Sequence, residues 1–197
     1  KGAKLVLGAR REDKLQKLVG EIAQDGGEAV YHVTDVTKIE DNKKLVDLAG
    51  PSFKRVFFTN SGAESNENAI KMARVVTGRT KIFSCYRSYH GATSAASNAS
   101  GDARRFTSEL GGVSGFVKFM NPHMYRDGYT RGVDDAVCTE KALKDLELQL
   151  RYEGTNNIAA ILMESIVGAN GVILPPDGYM EGIRALCDKY GILLIAD

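Results

Sequence analysis

The clearest chemistry in the chain lies in Thr59-Asn60-Ser61-Gly62-Ala63-Glu64-Ser65-Asn66-Glu67. This stretch follows the apolar run Val56-Phe57-Phe58, which reads as a strand, and opens a helical pattern, Ala69-Ile70-Met72-Ala73-Val76. A strand that turns through Ser-Gly into a helix leaves the first helical N–H groups without intrahelical partners. Together with the positive end of the helix dipole, those groups form an anion site. Ser61 reads as the N-cap, and Glu64, three residues on, completes a capping box. A well-capped surface helix and a phosphate cradle both fit this stretch taken alone.

Other residues with chemical potential sit after apolar runs. Tyr89-His90-Gly91 follows the strand pattern Lys81-Ile82-Phe83-Ser84. Glu164 follows the continuous apolar run Ile158-Ala159-Ala160-Ile161-Leu162-Met163, and Asp197 follows Ile192–Ala196. A carboxylate at the carboxyl end of a parallel strand lies where open α/β sheets bind ligands. His90 alone reads as a structural histidine; between Tyr89 and Gly91 at a strand-to-helix turn it reads as a site residue. Gly91 suits a place where backbone crowds a ligand.

The elements that must position these residues read as α/β. Residues 4–9 form a buried-strand pattern closed by Arg10 and Arg11. A helix is expected from about Glu12 to Gln24, with Leu15, Leu18, Val19 and Ile22 on one face, ended by Gly26-Gly27. A second strand, residues 29–33, runs into Thr34-Asp35-Val36-Thr37, and another helix begins near Ile39. Strand, helix and strand at these lengths predict a βαβ unit with parallel strands. Further helices are expected at Thr139–Tyr152 and Tyr179–Tyr190, and a long loop at Asn121–Arg131. The strands near 80–84, 158–163 and 192–196 are expected to share a mostly parallel sheet.

The bulk numbers narrow the class. Among 197 residues, 26 Lys plus Arg face 25 Asp plus Glu, a net charge of +1, so no basic field points to nucleic acid. No apolar run approaches membrane-spanning length and no signal peptide is evident. Cys85, Cys138 and Cys187 are too far apart for metal spacing or a disulfide framework. A cytoplasmic protein without a metal site is expected. Both ends read as truncated: the chain starts without Met and stops directly after a core-strand pattern.

Two resemblances follow from these residues. Leu5-Val6-Leu7-Gly8-Ala9-Arg10-Arg11, then Lys14-Leu15 and Asp35-Val36-Thr37, resemble the short-chain dehydrogenase/reductase family. That resemblance implies a Rossmann-like βαβ fragment over residues 1–46. Arg10 or Arg11 would face the 2′-phosphate of NADP, and Asp35 the adenine. The family's Gly-rich turn is absent from this sequence, as are its catalytic Ser, Tyr and Lys. Weak or no NADP binding is therefore expected, and Arg10, Arg11 and Asp35 are at most vestigial nucleotide contacts.

Residues 47–197 resemble the class III (ω-type) pyridoxal-phosphate aminotransferases. The motifs are Phe57–Glu67, with Ala69–Arg74 behind it; Tyr89-His90-Gly91-Ala92-Thr93; Met163–Val172, followed by Pro175-Pro176; and Leu193–Asp197. Ser65 stands where the family usually has Ala. The resemblance implies part of a fold-type-I large domain, a mostly parallel sheet with flanking helices, and pyridoxal 5′-phosphate as cofactor. Ser61, Gly62 and Ala63 would hold the phosphate, and Tyr89, with His90 beside it, would stack on the ring. Glu164 would lie near the ring hydroxyl, and Asp197 would face the pyridine nitrogen. The parent reaction moves an amino group from an amine or ω-amino acid to a 2-oxo acid such as pyruvate, in a homodimer. The family's Schiff-base lysine is missing; the only lysine after Glu164, Lys189, reads as a surface residue. No transamination is expected from this chain alone. The alternatives are an NADP-dependent oxidoreductase fragment or a non-catalytic dimerisation piece.

Overall fold

The computed structural model describes residues 4–24, 27–107, 113–123 and 132–197. The chain divides into two compact units, Lys1–Phe58 and Thr59–Asp197. The division lies C-terminal to the boundary at 46/47 read from the sequence.

In the first unit, β1 (Lys4–Ala9) and β2 (Glu28–Val33) pair in parallel, from Lys4↔Glu28 to Ala9↔Val33. The crossover is α1 (Glu12–Gln24), whose first-turn Glu12 and Asp13 oppose the helix dipole. The expected βαβ unit is present. Tyr31 Oη donates to Glu12 Oε1 and accepts from Gln16 Nε2, tying α1 to β2. After β2, the Asp35 carboxylate accepts from the Thr37 N–H and hydroxyl, a local turn, before α2 (Ile39–Ala49).

The second unit is a three-layer sandwich. Its sheet has the order β4-β3-β5-β6, every pair parallel, from β3 (Lys81–Cys85), β4 (Phe116–Phe119), β5 (Ile158–Met163) and β6 (Leu193–Ala196). All six residues of β5 are buried, because both faces of the sheet are covered. The period-two alternation of strand side chains sorts them into two cores. Phe83, Ile161 and Met163 pack with Leu146 and Leu150 of α5 (Asp135–Glu153) and with Ile183 and Cys187 of α6 (Tyr179–Tyr190). Ile82, Ala160 and Leu162 pack with Ile70 and Ala73 of α3 (Gly62–Thr77) and with Ala95 and Ala99 of α4 (Ser94–Ala99). The helix α3 stops at Gly78, whose left-handed backbone (φ 67°) returns its N–H to the Arg74 carbonyl.

The parallel sheet and the helices over 62–77, 135–153 and 179–190 agree with expectation. The strand β4 was not anticipated, and α4 only as a helix without bounds after the Tyr89–Gly91 turn. One expectation is corrected: Val56-Phe57-Phe58 is neither strand nor helix, and Phe57 is 67% exposed. These three residues lie just before the unit boundary and join no sheet. The expected loop at Asn121–Arg131 falls largely outside the described residues.

Candidate functional site

The parallel register brings the carboxyl ends of β3, β5 and β6 to one edge of the sheet. Ser84 lies opposite Leu162, and Met163 opposite Ala196. The residues that follow these strands therefore converge. Asp197 continues the ladder, its N–H donating to the Met163 carbonyl. The His90 Nδ1–H donates to Asp197 Oδ2 at 2.7 Å, the tautomer being fixed by its carboxylate partner. The His90 side chain is wholly buried, while that of Asp197 is 26% exposed. Burial would raise the Asp197 pKa, but hydrogen bonds from His90 and Asn66 outweigh it and hold the carboxyl below its ordinary value. A carboxylate at this edge thus stays ionised. The other imidazole nitrogen, Nε2, is buried without a hydrogen-bond partner.

Glu164 uses both carboxylate oxygens on backbone. Its Oε1 accepts from the Tyr89 N–H at 2.9 Å and its Oε2 from the Gly168 N–H at 2.7 Å. It thereby pins the loop after β3 to the loop after β5. The half-buried Tyr89 ring carries the Arg104 guanidinium over one face, 3.8 Å from its centroid.

The helix N-terminus differs in detail from the capping box read in the sequence. The Ser61 hydroxyl accepts from the Glu64 N–H at 3.2 Å, as expected. Glu64 Oε2, however, accepts from Asn60 N at 2.9 Å and from the Asn60 side-chain amide, one residue earlier than a regular box. The N–H groups of Gly62 and Ala63, in the first turn, lie outside this cap and have no intrahelical acceptor. A Cβ on Gly62 would meet nothing within 4 Å, so the helix end opens onto space that an anion can fill.

Gly91 departs from its expectation. A Cβ there would lie 2.5 Å from the Ala63 Cβ, so α3 crowds this glycine, where the sequence had suggested a ligand. The consequence is useful: the close approach brings the Tyr89–Gly91 turn against the start of α3. Asn66 reinforces it by donating to the His90 carbonyl at 2.9 Å. Ser61, Gly62 and Ala63 are thereby joined to His90, Asp197, Tyr89 and Glu164 in one constellation.

Sequence reading missed several supporting residues. Glu67 Oε1 accepts from the N–H groups of Ala95 and Ala96 and so caps α4 from a distance. Gly101 sits so close to β3 that a Cβ would lie 2.1 Å from the Cys85 carbonyl oxygen. Neither has a local signal, since both act through contacts remote in sequence. Lys189 is exposed and donates to Glu147 Oε1 at 2.6 Å. Among the described residues no group of three His, Cys, Asp or Glu side chains forms a metal cluster. No helix among them is long and apolar enough to cross a membrane. In the first unit, Arg10 and Arg11 are exposed beside an open depression, and the Asp35 carboxylate is engaged by Thr37, which lowers its pKa.

Comparison with known proteins agrees with this geometry. The sequence profile of the family described as aminotransferase class-III matches residues 12–197. The chain therefore belongs to the class III aminotransferases. It is 31% identical over 191 residues to the taurine–pyruvate aminotransferase of Bilophila wadsworthia, covering 92% of this chain and 41% of that protein. It is 33% identical over 171 residues to the β-alanine–pyruvate aminotransferase of Pseudomonas aeruginosa, covering 79% and 36%. Among solved structures, it resembles the taurine:2-oxoglutarate aminotransferase of Bifidobacterium kashiwanohense, in complex with PLP and glutamate. The TM-score is 0.79 at 62% identity, covering 95% of this chain and 42% of that one. The chain spans about two fifths of the length of these relatives. The family match begins at Glu12 and so runs through most of the segment that resembles the short-chain dehydrogenases.

Proposed function

We propose that the second unit holds pyridoxal 5′-phosphate and supplies part of the site of an enzyme that moves an amino group from an amine or ω-amino acid to a 2-oxo acid such as pyruvate. The observation that carries this reading is the His90–Asp197 pair: an ionised carboxylate at the carboxyl edge of a parallel sheet, backed by a wholly buried imidazole. When bound, the cofactor supplies an electron sink that no amino-acid side chain can offer. The protein's residues divide the remaining work. The Ser61 hydroxyl and the Gly62 and Ala63 N–H groups bind the phosphate at the start of α3. The Tyr89 ring covers one face of the pyridine. Asp197 holds a proton on the ring nitrogen by keeping negative charge against it, and His90 keeps Asp197 oriented and ionised. Glu164 positions Tyr89 through the backbone; its reach toward the ring hydroxyl belongs to the same proposal.

Taurine and β-alanine are the donors to try first, since similar proteins are named for them. A homodimer and a cytoplasmic location complete the proposal. Cys85 and Cys187 are free and buried, which suits a reducing compartment.

For residues 1–46 we propose a dehydrogenase-like βαβ piece that has lost nucleotide binding. Support comes from the parallel β1-α1-β2 unit and from the local engagement of the Asp35 carboxylate.

The test combines turnover with borohydride reduction in the presence of the cofactor. Donor plus pyruvate should give no alanine with these 197 residues, and reduction should leave no single labelled lysine. A stable adduct mapped to one lysine, together with alanine formation, would overturn the site as drawn.

A further inference from the structure

The Tyr89 ring has two faces, and one of them is taken. The Arg104 guanidinium lies over it at 3.8 Å, a cation–π stack. Arg104 is itself held in place. Its Nε donates to Asp102 Oδ1 at 2.7 Å and its Nη2 to Asp102 Oδ2 at 3.2 Å, a two-point fork. The Asp102 side chain is only 13% exposed. The turn that carries both residues is stitched to the loop after β3. Asp102 N and Gly101 N donate to the Ser88 carbonyl, and Arg87 N donates to the Gly101 carbonyl. Gly101 allows this approach because a Cβ there would strike the Cys85 carbonyl oxygen and the Tyr86 Cα, at 2.1 and 2.5 Å. The chain therefore presses the 101–104 turn against the back of residues 85–89 and delivers a cation to the Tyr89 ring.

We infer that Arg104 is a positioning residue, braced by Asp102, that fixes the plane of the Tyr89 ring so that its opposite face meets the cofactor. This inference rests on the proposed pyridoxal phosphate site. A tyrosine free to rotate about its side-chain bonds would lose entropy on stacking; a ring already clamped on one face has lost it in advance. Arg104 need not touch the cofactor for this effect, and the phosphate contacts at Gly62 and Ala63 lie on a different element.

The experiment uses the whole chain with all tyrosines replaced by 3-fluorotyrosine, and the Tyr89 fluorine resonance is assigned with Tyr89→Phe. In Arg104→Met that resonance should shift and sharpen as the ring gains motion, and Arg104→Lys should restore part of the change. Apparent affinity for pyridoxal phosphate should fall about two- to fivefold in Arg104→Met, the range expected of an exposed cation–π contact. Competition by inorganic phosphate should stay at the wild-type value, which a general loosening of the site would not allow. An unchanged fluorine resonance would overturn the brace, and a changed resonance with unchanged cofactor affinity would overturn its positioning role. If the unsubstituted chain binds no pyridoxal phosphate, the functional reading fails and the fluorine spectra still decide whether Arg104 clamps the ring. Should Arg104→Met lose its near-ultraviolet circular dichroism, the same measurements on Arg104→Lys and Asp102→Asn decide.

Discussion

Both units of this chain are built from parallel strands and crossover helices, yet they bury their side chains to very different extents. Among the described side chains up to Phe58, only Leu15 and Thr34 are buried. The second unit buries residues on both faces of its sheet, including all of β5. The strand sequences do not announce this difference: Ala29-Val30-Tyr31-His32-Val33 is as apolar as many core strands, yet Val30 is 54% exposed. What separates the units is layering. In the first unit α1 and α2 pack on a two-stranded sheet and still leave Val30 open, whereas α3 and α4 on one side and α5 and α6 on the other close the larger sheet. Covered faces also fix the ends of the strands, which is what a site assembled from Tyr89, His90, Glu164 and Asp197 requires.

If layering is what stabilises the second unit, its core substitutions should dominate. Phe83→Ala removes a wholly buried ring and should cost about 3–5 kcal/mol by urea denaturation. A loss below about 1 kcal/mol would mean that this core is not closed. Arg79→Met comes next. Arg79 Nη1 lies within hydrogen-bond distance of the carbonyls of Thr155, Ile158, Tyr190 and Gly191, and so joins the ends of α5, β5 and α6. Removing it should cost about 1 kcal/mol, because part-buried carbonyls lose a charged donor. In the first unit, Val30→Ala should change stability by no more than about 0.5 kcal/mol. A large effect there would show that its strand is covered after all.

Acid should act on the second unit through Asp197. Its folded pKa lies below the ordinary value of 3.8. The His90 and Asn66 hydrogen bonds therefore contribute their full stability above that pH, and lose it as the pH falls through the lower folded value. With the side chain 26% exposed, the effect is small. Asp197→Asn should flatten that acid-side decline in unfolding experiments, and an unchanged decline would remove Asp197 from the account.

Much of this architecture was legible in the sequence, for reasons that particular residues make clear. The helices α1, α5 and α6 carry apolar stripes of period 3.6, and β5 is a continuous apolar run. The helix α4 carries no such signal: Ser-Ala-Ala-Ser-Asn-Ala is buried from Ala95 to Ala99, so no amphipathic stripe exists. The strand β4 is four residues long, too short for alternation to register. Val56–Phe58 misled in the opposite direction, since an apolar triplet cannot say whether a partner strand exists. In the site, Ser61, Glu164 and Asp197 stood out because each flanks an element, and His90 because it lies between Tyr89 and Gly91. The contacts of Glu67, Gly101, Asp102 and Arg104 depend on chain approaches that no local pattern encodes.

We propose that the cofactor site is carried by the residues of the second unit and is independent of an anchoring lysine. The most direct test is a spectroscopic titration of the chain with pyridoxal phosphate, repeated on Gly62→Asp and Asp197→Asn. The wild-type chain should show a saturable shift that borohydride does not fix covalently. Gly62→Asp should abolish it by setting a carboxylate against the phosphate, and Asp197→Asn should weaken it while altering the spectrum of the bound ring. A saturable shift that survives Gly62→Asp unchanged would contradict the account, because the start of α3 would then not be the phosphate site.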